Sequence, residues 1–111
     1  MHTIDGYEWS RSKATENRWK HDVDFADGAT VFSDEQAVTI EDEGAGERRF
    51  VTLGVSAEGQ VLVVAYTWRG TKVRIISARR ATPRERKAYE TSERSRHERG
   101  IRFQPRRARG G

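Results

Sequence analysis

Four strand-like runs, AVTIED, ERRFVTLGVS, VLVVAYTWR and KVRIISARR, follow one another between Ala37 and Arg80, parted only by DEGAG, AEGQ and RGT. Their apolar residues recur with a period near 2, and the last two separations are only a few residues long. Parallel pairing needs a long crossover, so separations this short make antiparallel hairpins the economical connection. An antiparallel meander of about four strands follows, with the near-continuous apolar runs in its centre.

Helical spacing occupies both flanks of this meander. GYEWS reads as a short opening strand. Ser10 is then placed to cap a helix running to about Lys20, with Ala14 and Trp19 among its packing positions. Asp22 is expected just past that helix in the left-handed conformation, which aspartate tolerates better than most residues. Asp24 can cap a second short helix, FADGATVF, with Phe25, Ala29 and Phe32 on one side. After the meander, Pro83 fits the first turn of a third helix, where its missing N–H does no harm, and Thr82 with Glu85 has the spacing of a capping box. That helix is expected to end near Glu93. The fold class is therefore α+β: two N-terminal helices and a C-terminal helix packed on a curved antiparallel sheet of about four strands. A chain of 111 residues has room for one such domain, here residues 1–92. Residues 93–111 read as a basic extension of disorder-type composition.

Charge is distributed unevenly along the chain. Residues 1–72 carry 8 Lys and Arg against 13 Asp and Glu, whereas residues 73–111 carry 13 against 4. An acidic body with a basic end concentrates polyanions at that end, and nucleic acid is the commonest of them. The longest apolar run, VLVVAYTW, is far shorter than the roughly 20 residues that span a bilayer. MHTIDGYEW has neither the basic start nor the apolar stretch of a secretory signal, and without cysteine there is no disulfide framework. The expected setting is the cytoplasm.

YEWSRSKATENRWKHDVDFADGATVF, ERRFVTLG, LVVAYTWRG and VRIISARRATPRERKAY occur in the order and at the spacing that resemble the BrnT toxins of bacterial type II toxin-antitoxin modules. The resemblance covers about Tyr7 to Tyr89. It departs at Ser10, where the family usually has an acidic residue, and at Asp22, where it usually has glycine; the basic end lies outside the pattern. The resemblance implies a fold similar to RelE-type toxins and a ribonuclease that cuts RNA, inhibits translation and stops growth. It further implies a BrnA-like ribbon-helix-helix antitoxin, a 2:2 complex, and operator DNA bound only through that antitoxin.

Cutting RNA without a metal requires the neighbouring 2'-hydroxyl to attack phosphorus. The protein then supplies a base, an acid, and cations for the charge of the pentacoordinate state. No cofactor is called for. His2, His21 and His97 are far apart, and no acidic pair has a ligand spacing, so no metal site is expected. Arg74 and Arg79 match arginines of the family motif and are the candidate cations, the alternative for each being an ion pair to a carboxylate such as Glu47 or Asp42. Regular strand alternation sets them on opposite faces, so both can serve one site only if a bulge intervenes. His21 titrates near neutral pH and is either the acid or base or a cap for its helix end. Glu47 is the other candidate base, or a partner of nearby arginines. Lys20, Arg48, Arg69, Lys72, Arg80 and Arg84 are candidate phosphate contacts, and Tyr66 either stacks a base or belongs to the core. Trp9, Trp19 and Trp68 read as core or partner-interface residues. The other readings of the same residues are a non-enzymatic RNA-binding or regulatory module, and an inactive toxin that only binds its antitoxin.

Overall fold

The computed structural model describes residues 4–42 and 46–99, with side chains through Ser92. In chain order its elements are β1 (Tyr7–Glu8), α1 (Arg11–His21), α2 (Phe25–Ala29) with a 3-10 turn at Thr30–Ser33, β2 (Val38–Asp42), β3 (Arg49–Val55), β4 (Val61–Arg69), β5 (Lys72–Arg80) and α3 (Pro83–Arg99).

The local signals for the ends of elements act as the sequence suggests. Ser10 is the N-cap of α1, its hydroxyl accepting from the Lys13 N–H at 3.3 Å. Asp22 follows at φ 56° and ψ 40°, the left-handed conformation, with its N–H donating to the Arg18 carbonyl. Thr82 and Glu85 form a reciprocal capping box: the Glu85 N–H reaches Thr82 Oγ1 at 3.1 Å, and the Thr82 N–H reaches Glu85 Oε1 at 2.9 Å. Asp24 precedes α2 but makes no side-chain cap bond.

The sheet corrects the expected four antiparallel strands. It has five, in the order β1-β5-β4-β3-β2, and β1 runs parallel to β5. The opening strand expected in GYEWS is β1, and its pairing, Tyr7 with Val73 and Glu8 with Arg74, makes it the fifth strand at the edge of the sheet. The third helix continues to Arg99, beyond its expected end. Of the expected basic extension, residues 100–111 lie outside the described residues.

Because β1 is so short, the outer edge of β5 beyond Arg74 has no strand partner among the described residues. Asn17 of α1, 5% exposed, takes that place: its Nδ2 donates to the Ala78 carbonyl at 2.8 Å, and its Oδ1 accepts from the Ala78 N–H at 3.1 Å. A side-chain amide thus pairs the strand edge as a neighbouring strand would, and the same Nδ2 holds the Val23 carbonyl at 3.0 Å. This fixes α1 against β5.

One face of the sheet carries the core. Leu62, Val64 and Tyr66 of β4 and Val73, Ile75 and Ala78 of β5 pack with Val23, Phe25 and Val31. Gly28 is needed for this contact, since a Cβ there would stand 3.1 Å from the Ala78 Cβ. The glycine that weakens α2 as a helix is what lets α2 rest on the strand. Trp9 packs partly buried against this core, as does Trp68. Trp19 does not: it is 85% exposed, which corrects its expected packing role. Five residues from Ala14 is about 140° around a helix, so the two cannot share a face.

Candidate active site

The strand β5 holds both candidate cations, and a bulge decides where they point. Tyr66 of β4 stands opposite Ile75, but Ala65 stands opposite Ser77, so Ile76 is an extra residue on β5. After it the alternation resumes with reversed parity. Val73, Ile75 and then Ala78 face the core. Arg74 (opposite Thr67), Ser77 (opposite Ala65) and Arg79 (opposite Val63) share the other face. The two arginines are separated by four steps of β4, about 13 Å at the usual strand rise.

Each arginine is half-exposed and held by a carboxylate. Arg74 Nη1 lies 3.0 Å from Glu8 Oε2, a consequence of the pairing of Glu8 with Arg74 across β1 and β5. Arg79 grips Glu85 with both terminal nitrogens, at 2.8 and 3.0 Å. The hydrogen bonds from Arg79 hold the Glu85 carboxyl below the usual carboxylate range, assisted by the Thr82 N–H, although partial burial opposes the shift. The same pairing raises Arg79 further above its ordinary value. Neither Glu8 nor Glu85 stood out as a site residue in the sequence. The opening strand in GYEWS was expected without a partner, so nothing tied Glu8 to Arg74, and the capping role of Glu85 hid its second function.

The remaining expected residues divide between the two ends of β5. Glu47 precedes β3 and is exposed; the neighbouring Arg48 carbonyl accepts from Thr67 Oγ1 at 2.8 Å, and Thr67 is opposite Arg74. Glu47 therefore belongs to the Arg74 end. His21 lies at the other end, where its carbonyl accepts from Arg80 Nη1 at 3.2 Å. Among the described residues neither the His21 ring nor the Glu47 carboxylate has a hydrogen bond or ion pair. The structure does not bring His21 and Glu47 together.

Of the expected phosphate contacts, Arg69, Lys72 and Arg84 are exposed and without a side-chain partner among the described residues. Lys20 pairs with Glu16 at 3.6 Å. Arg80 is engaged on the helix side by Gln60 Oε1 at 2.6 Å and by the Asp22 carboxylate at 3.8 Å. Arg48 grips Glu41 at 2.6 and 3.0 Å, and this hydrogen bonding lowers the Glu41 carboxyl. Its guanidinium also lies 5.5 Å from the centre of the Phe50 ring.

Tyr66 belongs to the core and cannot stack a base. It is 4% exposed, edge-on to Phe32 at 4.9 Å and stacked on Phe50 at 5.7 Å. Its hydroxyl ends a row that crosses the sheet, accepting from Thr52 Oγ1 at 3.3 Å, with Thr39 Oγ1 2.7 Å from Thr52 Oγ1. Burial, and then Tyr66 nearby, push the Tyr7 phenol up from its ordinary value.

A five-stranded sheet with α1 and α2 on one face and Arg74 and Arg79 on the other defines a class of small α+β protein that has a solved representative. The 1.1 Å crystal structure of the ribonuclease toxin BrnT of Brucella abortus matches it with a TM-score of 0.58 at 23% identity, over 72% of this chain and 99% of that one. Comparison with curated proteins gives no match. The family described as the ribonuclease toxin BrnT of type II toxin-antitoxin systems matches residues 9–85. The chain belongs to that family.

Proposed function

We infer that this BrnT-family chain is a metal-independent endoribonuclease whose active face is the side of β5 carrying Arg74, Ser77 and Arg79. The observation that supports this reading most is the bulge at Ile76, which turns both arginines to one face. A regular strand would divide them. Each guanidinium presents a planar fork suited to two phosphate oxygens and remains charged at any working pH. An entering phosphate competes with Glu8 or Glu85 for the same donors.

The 2'-hydroxyl attacks the adjacent phosphorus, losing its proton to a base, while the departing 5'-oxygen takes a proton from an acid. A cyclic phosphate and a 5'-hydroxyl result. The active face has Glu47 as its proton acceptor at the Arg74 end; His21 stands at the Arg79 end but on the helix side with Arg80, and RNA reaches it only round the end of β5. Arg69, Lys72 and Arg84, with Lys20, Arg48 and Arg80 once their present partners yield, hold the RNA backbone through phosphates. Cleavage of cellular RNA would inhibit translation and arrest growth. The antitoxin is a BrnA-like ribbon-helix-helix protein in a 2:2 complex, and operator DNA is bound through it.

Labelled RNA incubated with the protein in EDTA tests the reading. Cleavage in EDTA is expected; intact RNA with binding retained would favour the non-enzymatic module instead, a reading supported by both arginines already having carboxylate partners.

A further inference from the structure

The two N-terminal helices leave a groove of about 430 Å³ between them. Trp9, Ala14 and Phe25 form its apolar wall, the Trp9 and Phe25 rings meeting edge to face at 5.9 Å. Arg11, Arg18 and Asp24 stand at its rim. Beside it, one helical turn beyond the groove-lining Thr15, Trp19 projects with 85% of its surface exposed. A tryptophan left in water next to an apolar groove is the arrangement of a protein-binding surface, where buried aromatic anchors carry most of the affinity.

The charge around the groove selects the occupant. Helix α1 carries Arg11, Lys13, Arg18 and Lys20 against Glu16 alone. Arg18 is paired with Asp24 at 3.0 Å and Lys20 with Glu16 at 3.6 Å, whereas Arg11 and Lys13 have no side-chain partner among the described residues. Lys13 lies round the helix from the groove, which leaves Arg11 as the uncommitted cation lining it, and a cation beside an apolar wall fits an acidic protein segment with an apolar anchor. Nucleic acid fits less well, because the Asp24 carboxylate at the rim repels phosphate and already neutralises Arg18.

We propose that Trp19 and the groove between α1 and α2 form the docking surface for the antitoxin, which presents an acidic segment and inserts an apolar side chain against Trp9 and Phe25. The proposal rests on membership of a toxin-antitoxin family and not on the chemistry at Arg74 and Arg79. The probe is the cognate antitoxin, purified separately and titrated calorimetrically into the full chain and into the Trp19→Ala and Arg11→Glu variants. Both positions are on the surface, and thermal melts check that the fold is kept.

Trp19→Ala should weaken the complex about 30-fold or more, the level that marks an anchor residue. Arg11→Glu should weaken it by a smaller factor that shrinks as salt is raised. Cleavage of RNA by either variant without antitoxin should match that of the parent chain. Wild-type antitoxin affinity in both variants overturns the proposal. So does loss of RNA affinity with antitoxin binding intact, which would make the groove a nucleic-acid surface. If the parent chain cleaves no RNA, the ribonuclease reading fails, while the titration still decides the docking surface.

Discussion

The two faces of the sheet are built from the same strands and serve different ends. On the helix side Leu62, Val64, Val73 and Ala78 are wholly buried, each at 0% exposure, and among the described residues every buried side-chain N or O has a hydrogen-bond partner. On the other side Val61, Val63, Ala65 and Ser77 are only half-buried, and the charged residues among them keep open, exchangeable ion pairs. One extra residue, Ile76, separates the two roles. It keeps Val73, Ile75 and Ala78 in the core while turning Arg74 and Arg79 away from it. The comparison shows how a strand of nine residues can complete a core and carry a charged site without burying a charge.

Truncation on the two faces should give unequal losses. Leu62→Ala should lower stability by about 3 kcal/mol through lost burial and a cavity. Val63→Ala, one position along the same strand, should cost about 1 kcal/mol. Urea unfolding measures both, and equal losses would remove the distinction between the faces. Asn17→Ala leaves the Ala78 N–H, the Ala78 carbonyl and the Val23 carbonyl without their partner, so a loss of about 3 kcal/mol is expected in the same assay. A near-neutral outcome would mean that water pairs this strand edge as well as the amide does.

The smallest expected effect is at Glu85. Its folded pKa lies below the ordinary 4.5, so its ionised form contributes stability above that value, and the contribution is lost as pH falls through the lowered pKa. The group is about a third exposed, and solvent screening limits the contribution to roughly 0.5 kcal/mol. Glu85→Gln should therefore melt slightly below the parent chain near neutral pH, and the gap should close in acid. A gap that widened as pH fell would show the sign to be wrong.

Much of the fold was legible because short-range chemistry sets it. Ser10, Asp22 and the Thr82–Glu85 pair act through backbone groups only a few residues away, and the β-hairpins through brief turns. What escaped depends on distant partners. The opening strand in GYEWS was legible, but its parallel pairing with Val73 and Arg74 was not, and Glu8 reaches the site by that pairing. The bulge leaves no mark in Ile75, Ile76 and Ser77, each of which suits a regular strand. Its location follows from the partner strand, as the reversal of parity between Tyr66 and Ala65 shows. Trp19 was misplaced for a simpler reason, since helical spacing alone puts it far round the helix from Ala14.

Single-turnover cleavage of labelled RNA at saturating protein, in EDTA, compares the faces most directly. Arg74→Ala and Arg79→Ala, on the open face, should each slow the cleavage step on the order of 100-fold, the usual effect of removing one transition-state charge contact. Arg80→Ala, on the helix face, should weaken binding at low protein concentration and leave the cleavage step within a few-fold of the parent. Cleavage at the parent rate by the Arg74 and Arg79 variants, or an equal loss at Arg80, would contradict an active face set by the bulge.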